Sequence, residues 1–406
     1  VNGKPFPRLA FVHRWLGVGL GLWFMAVGLT GALLVWRDDI DAWLNPQWLH
    51  ARDRGPPLDL ETLVDKVRHE HGLLRIERIR LPLTDGQVVR LQVRGSASRV
   101  ESARIEAFVD PGSGALLGRR GLEGVSFAPA HAMRNLYDLH RNLLLGEPGS
   151  NVVGIAGFLL MSSAITGLVV AWPRTRERWR RLVAVSWRAN ATRVAFDLHR
   201  SGGVLIGAVL LLATATGATL VYLNYVRDLV SAVSRVEPIP VLPFRAAGRF
   251  DEALTLSALA ERVHAAFPAH RVAEIRLPER GLTGVTFQLH RAGDVHRLGD
   301  TIAWLHPFSG ELLAERSART RSAGEAFMHW LLPLHVGSAF GTPGLVAMCA
   351  AGMAPLLLVG TGLLVWWRKR PGERIARERA ALRHDARRAR RAHGAMPPQE
   401  GPRGPA

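Results

Sequence analysis

A single cysteine, Cys349, is all the sulfhydryl chemistry this 406-residue chain carries. No intrachain disulfide can form and no thiolate zinc site can be built, so any soluble part must hold by core packing alone. Carboxylates are also in short supply: 34 Asp and Glu face 52 Lys and Arg, a formal net charge of +18. A nucleotide-binding loop is missing too. Gly17-Val18-Gly19-Leu20-Gly21 is glycine-rich, but it lies inside an apolar run and follows no strand.

What the chain does have is apolar sequence in blocks. Uncharged runs occupy 15–36, 150–172, 201–222 and 342–367, each long enough at 1.5 Å per residue to cross a hydrocarbon core of roughly 30 Å. Four transmembrane helices are expected. The first is read as retained rather than cleaved, because its run exceeds a signal-peptide core and Leu34-Val35-Trp36 is no small-residue cleavage site.

The positive charge follows these runs. Segments 1–14, 173–200 and 368–406 carry +3, +6 and +8, whereas 37–149 is neutral and 223–341 carries +1. By the positive-inside rule the three basic segments, and with them both termini, are cytoplasmic, and the two near-neutral segments lie outside. The tail containing Arg387-Arg388-Ala389-Arg390-Arg391 then reads as a solvated or lipid-facing stretch, and nucleic acid is not an expected partner.

The chain also aligns with itself. His13-Arg14, Gly17, Gly21 and Thr30-Gly31-Ala32 recur as His199-Arg200, Gly203, Gly207 and Thr216-Gly217-Ala218, at a shift of 186. Ile79-Arg80-Leu81-Pro82 recurs as Ile275-Arg276-Leu277-Pro278, and Asp110-Pro111-Gly112-Ser113-Gly114 as His306-Pro307-Phe308-Ser309-Gly310, at 196. His140, Thr166-Gly167-Leu168 and Trp172 recur as His335, Thr361-Gly362-Leu363 and Trp367, at 195. The expected architecture is an α-helical membrane protein of two parallel tandem repeats, related by a pseudo-twofold axis along the membrane normal, with two small α+β external domains.

The expected segments are helix 1 at 8–36, an external domain at 37–130, and a histidine segment with its return helix at 131–172. A basic loop follows at 173–198, then helix 3 at 199–225, the second external domain at 226–322, its return segment at 323–367, and a disordered tail at 368–406. Periodicity predicts a helix at 60–70 and strands at 76–81, 88–93 and 105–109, then a helix at 256–267 and strands near 272–277, 285–290 and 301–305. Each external domain is therefore one helix on a three- or four-stranded antiparallel sheet, without a catalytic constellation. A straight helix from His140 to Trp172 would overshoot the membrane, so a break is expected at 146–149 and at its counterpart.

Of 16 histidines, four hold equivalent places in the two repeats. The axis brings His13 toward His199 at the cytoplasmic side and His140 toward His335 at the external side. Ionisable groups at membrane depth are costly and tend to be functional, although interfacial histidines satisfied by headgroups or backbone are the bland alternative. Two facing imidazoles suit the axial positions of a haem iron better than tetrahedral zinc. Without Cys-x-x-Cys-His, the haem would be b-type. Gly17, Gly21, Gly203 and Gly207 leave room for a macrocycle or, equally, for close helix packing. His131 and His329 approach the return helices out of register and read as accessory or surface groups.

His13-Arg14-Trp15-Leu16-Gly17, Thr30-Gly31-Ala32-Leu33-Leu34, Leu139-His140-Arg141-Asn142-Leu143-Leu144-Leu145-Gly146, Leu198-His199-Arg200 and the turn 109–114 together resemble the PepSY-associated transmembrane proteins. These are also called iron-regulated membrane proteins and include the FoxB-type ferric-siderophore reductases. The resemblance spans about residues 8–370. It implies a bacterial inner-membrane protein with two b-type haems and periplasmic PepSY domains, passing electrons from a cytoplasmic or quinol donor to iron in a siderophore. By motif position it assigns the axial ligands to His13, His140, His199 and His335. Other readings of the same residues are a non-catalytic PepSY protein that binds or inhibits a periplasmic peptidase, and a haem conduit to another periplasmic acceptor.

Overall fold

The computed structural model of the protein describes residues 6–72, 75–94, 104–173, 175–237, 253–278 and 284–393. In the first half, α1 (Pro7–Val35) leads through short α2 (Arg37–Leu44) and α3 (Pro46–Leu49) to α4 (Leu60–His71). A meander follows: β1 (Ile76–Arg80), β2 (Val89–Arg94), β3 (Arg104–Val109) and β4 (Leu116–Gly121). Then come α5 (Ala132–Asn142), α6 (Glu147–Ala171) and α7 (Arg176–Arg181). The second half has α8 (Ala191–Val221), α9 (Leu223–Ser231), α10 (Leu256–Ala266), β5 (Arg271–Arg276), β6 (Val285–His290), β7 (Thr301–Leu305), β8 (Leu312–Arg316), α11 (Ala323–Val336) and α12 (Gly341–His393).

Four helices are long and apolar enough to cross a membrane: α1, α6, α8 and the stretch Ser338–Arg370 that opens α12. The protein is thus a membrane protein with an additional sheet-bearing part. α1 packs on α6 and α12, and α8 packs on the same two helices, so α1 and α8 sit on a diagonal of the bundle. Small residues let the helices approach: a Cβ at Gly28 would strike the carbonyl oxygen of Gly352, and one at Gly154 would strike the Tyr222 ring.

Outside the bundle the two meanders do not form two sheets standing apart. They join through β1 and β5 into one eight-stranded antiparallel sheet of order β4-β3-β2-β1-β5-β6-β7-β8. Ile79 lies opposite Ile275 at the junction, flanked by Arg78 opposite Arg276 and Arg80 opposite Glu274. The physical reason is the edge: β1 and β5 would each leave a row of backbone groups unpaired, and pairing them satisfies both. One core then serves both halves. Val64 and Val67 of α4 and Leu259 and Val263 of α10 pack with Ile79, Leu91, Ile275 and Phe287. The helix starts are clasped as well, since Ser257 donates its hydroxyl to Asp59 at 2.7 Å and the Leu256 amide donates to Glu61 at 2.8 Å.

Burial alternates along β2 and β6, with Val89, Leu91, Val93, Val285, Phe287 and Leu289 inward, which leaves the opposite face polar, with Arg90 and Arg94 on β2 and Thr286 and Gln288 on β6. There Glu274 is fully buried and held by Arg80 at 3.1 Å, Arg276 at 2.7 Å and Arg78 at 3.6 Å. Arg120 of β4 ties the sheet to the bundle by bonding Asp41 of α2, Glu106 of β3 and the carbonyl of Ala130. Arg316 of β8 takes the same place in the second half, bonding Glu325 of α11 at 3.1 Å.

The three- or four-stranded sheet expected in each half has four strands: β4 and β8 complete the three that periodicity predicts, and a run such as Leu-Leu-Gly-Arg-Arg-Gly has too little alternation to announce a strand. One expectation needs correction. Charge and composition predict a disordered tail at 368–406, yet α12 continues to His393, and residues 394–406 lie outside the described residues. Ala, Arg and Glu dominate this stretch and all favour helix, a propensity that net charge alone does not reveal.

Candidate functional site

Between α5 and α6 the chain reverses over Leu143 and Leu144, both at positive φ, and Gly146. The same reversal separates α11 from α12 at Gly337 and Gly341, again at positive φ. Glycine is required just beyond each reversal because the returning helix presses on the one it leaves. A Cβ at Gly149 would overlap the Asn142 carbonyl, and one at Gly344 would overlap the Gly337 carbonyl. These reversals place His140 and His335 on separate short helices lying against α1 and α8.

The four histidines form two pairs. The rings of His13 and His199 stand 5.9 Å apart between centroids, and those of His140 and His335 stand 6.3 Å apart. Each ring is anchored through Nδ1 to a backbone carbonyl of a neighbouring helix: His13 to Ser163 at 2.9 Å, His140 to Val27 at 3.1 Å, His199 to Leu358 at 2.8 Å and His335 to Ala213 at 3.0 Å. A carbonyl only accepts, so Nδ1 carries the proton and Nε2 keeps its lone pair. No Nε2 of the four makes a hydrogen bond among the described residues. Two anchored imidazoles at this separation, each with an available Nε2 lone pair, are groups that could hold a metal.

The Thr-Gly pairs that recur along the sequence are also the seat of these rings. Every anchoring carbonyl lies four residues before the glycine of a Thr-Gly pair, at Gly31, Gly167, Gly217 and Gly362. On a helix the Cβ at that position shields the carbonyl one turn back, and glycine uncovers it. The fit is close: a Cβ would lie 3.0 Å from Cε1 of His140 at Gly31, and 2.8 Å from Cε1 of His13 at Gly167. The corresponding distances are 2.8 Å to His335 at Gly217 and 3.1 Å to His199 at Gly362. The threonine completes the seat. Thr30, Thr216 and Thr361 place Oγ1 within 3.1–3.3 Å of the histidine Nδ1, while Thr166 donates to the Ser163 carbonyl that holds His13. The seats are reciprocal within each half: α1 seats His140 while α6 seats His13, and α8 seats His335 while α12 seats His199.

The glycines near His13 and His199 divide in two. At Gly17 a Cβ would meet nothing within 4 Å, and at Gly203 only a Leu358 methyl at 3.7 Å, whereas at Gly21 and Gly207 it would press on Val359 and Leu168 at 2.6 and 2.7 Å. The first pair leaves space beside the rings and the second serves helix packing.

His329 belongs to a different arrangement. It lies with His296 and Asp300 in a group whose candidate ligand atoms fall within 4.8 Å of one another. His329 Nε2 bonds Asp300 at 3.1 Å and His296 Nε2 bonds the His329 carbonyl at 3.0 Å, so the cluster clamps the β6–β7 connection onto α11. Burial works against the Asp300 carboxylate, but the hydrogen bonds from His329 and from the Val295 and His296 amides outweigh it and bring its pKa to about 2 from 3.8. A depressed carboxyl stabilises the fold above its unfolded pKa, and that contribution is lost as pH falls from about 4 toward 2. Asp300→Asn is expected to cost about 2 kcal/mol at neutral pH and close to nothing at pH 2. Thermal melts of both proteins across that range check this. His131 opens α5, with Nδ1 buried and unpartnered among the described residues, and joins neither pair.

In the turns after β3 and β7, Asp110 accepts from the Gly112 and Ser113 amides at 3.1 Å. His306, which replaces it in the second half, accepts through Nδ1 from the Phe308 and Ser309 amides at 3.3 and 3.1 Å. The substitution keeps the turn.

Compared with known protein families, the chain matches a model described as the PepSY-associated TM region over residues 10–369. No curated protein matches it.

Proposed function

Because this chain belongs to the PepSY-associated transmembrane family, we propose that its two histidine pairs each hold a b-type haem and that it carries electrons across the membrane to ferric iron in a siderophore complex. The observation that carries this reading is the geometry of the pairs. Imidazole–iron bonds of roughly 2 Å on either side of a metal set the ring centroids roughly 6 Å apart, and the observed separations are 5.9 and 6.3 Å. The open space at Gly17 and Gly203 supports a flat group beside the inner rings.

Haem iron supplies one-electron chemistry when bound. The chain's own part is to hold Nε2 deprotonated, which the carbonyl and threonine seats do by accepting a hydrogen bond from Nδ1–H and so fixing the proton there, and to surround each pair with apolar helix, which tunes potential through burial. The positive charge of 1–14, 173–200 and 368–406 favours cytoplasmic termini, with the eight-stranded sheet on the periplasmic side of a bacterial inner membrane. The matching seats, turns and Arg120 and Arg316 anchors favour two parallel tandem repeats. A single electron delivered to the ferric complex weakens its binding, since the oxygen ligands of siderophores are hard and suit Fe(III) better than Fe(II).

The test uses proteoliposomes loaded with dithionite, with a ferric chelate and a ferrous indicator outside. Indicator colour is expected with the wild type and is expected to vanish with His13→Ala or His140→Ala. Equal rates for wild type and both variants would overturn the proposal.

A further inference from the structure

A cavity of about 480 Å³ opens between the charged face of the sheet, α2 and α5. Its cations come from three directions: Arg78, Arg80 and Arg90 from the strands, Arg37 from α2, and Arg134 and Arg141 from α5. With Arg120 they make seven arginines against the four lining carboxylates Asp38, Asp41, Glu106 and Asp138; Glu274, which Arg78 and Arg80 hold from within the sheet, brings the acids to five and leaves an excess of two positive charges.

The carboxylates are already committed. Asp41 and Glu106 hold Arg120, Asp138 holds Arg134 at 2.7 Å, and Asp38 is shared among Arg37, Arg297 and Arg90, the last at 4.0 Å. Arg141 has no ion pair among the described residues. Burial pushes Arg78 and Arg90 down from the ordinary arginine range despite Glu274 beside the first and Glu106 and Asp38 beside the second, which marks cations held partly out of water.

The fold itself does not require these arginines. At the repeat shifts, Arg37, Arg90, Arg134 and Arg141 correspond to Leu223, Thr286, His329 and Val336, and the second half builds the same elements with those residues. The excess charge is therefore particular to one side of the molecule. That side is the one where α5 carries His140, next in sequence to Arg141.

We infer that this cavity binds an anionic, carboxylate-rich ferric chelate and delivers it to the His140–His335 end of the bundle. The volume falls in the range of small-molecule sites, and guanidinium forks match carboxylates two bonds at a time. As substrate assignment the inference rests on the proposed function; as a binding site it does not.

The test is equilibrium binding of radiolabelled ferric citrate to the full-length protein in nanodiscs of uncharged lipid, with no electron donor present. Saturable binding is expected, weakening with salt and at least about tenfold weaker in Arg141→Glu and Arg90→Gln, without change in the haem absorbance of either variant. A cationic ferric trihydroxamate is expected not to compete. Arg141 is exposed at a helix end, so its variant keeps the test valid if Arg90→Gln fails to fold. Affinity in Arg141→Glu within about twofold of the wild type, competition by the cationic chelate, or loss of binding when anionic lipid is added would each overturn the inference. Wild-type protein that contains haem yet binds no ferric citrate removes this inference and leaves the redox reading. Binding by protein that takes up no haem removes the redox reading and leaves the carboxylate site.

Discussion

His140→Ala is expected to remove about half of the haem from the purified protein and to leave the spectrum of the remainder unchanged. The two pairs are built by different helix contacts. His140 sits on α5 against α1 and faces His335 on α11, while His13 on α1 sits against α6 and faces His199 on α8. Without His140, only His335 would remain to hold the haem of that pair; the His13–His199 pair keeps both rings and both seats. His13→Ala should produce the reciprocal loss. Pyridine haemochrome content per chain checks both, and a variant that retained the full haem content would break the assignment of that residue.

The second large effect needs no change to a histidine. Gly217→Val is expected to weaken haem at the outer pair by about 10- to 100-fold, the range for groups that orient metal ligands. A Cβ at Gly217 would meet Cε1 of His335 at 2.8 Å and Nδ1 at 3.3 Å, and the ring cannot retreat without breaking its bond to the Ala213 carbonyl. In an open position valine should be tolerated or mildly stabilising, since glycine is the poorer helix former by a few tenths of a kcal/mol. Gly360 supplies that control, because nothing lies within 4 Å of its Cβ position. Haem titration of the two variants, with helicity measured alongside, distinguishes a lost seat from a lost fold. Equal haem affinity in Gly217→Val and wild type would mean that the glycine serves packing only.

Much of this is legible in the sequence because local pattern determines it. Uncharged runs produce α1, α6, α8 and α12, and alternation in Val-Thr-Phe-Gln-Leu-His places a strand at Val285–His290 because both signals act within a few residues. The recurrence of His13 as His199 and of His140 as His335 likewise singles out the four rings. What escapes depends on partners distant in sequence. The pairing of Ile79 with Ile275 is a property of two edges meeting, and neither strand declares it. The Thr-Gly pairs stand out as repeated residues, but their use follows only when a histidine from another helix reaches the uncovered carbonyl. The arginine cavity is hidden for a further reason. Its segment, 37–149, is neutral overall, and only folding gathers the cations onto one face.

Haem content of the wild-type chain tests the two histidine pairs most directly. Full-length protein, expressed with ample haem and purified in detergent, should give close to two b-type haems per chain by pyridine haemochrome, with six-coordinate low-spin bands in the reduced-minus-oxidised spectrum. Protein that folds and purifies with no haem would contradict the reading of both histidine pairs.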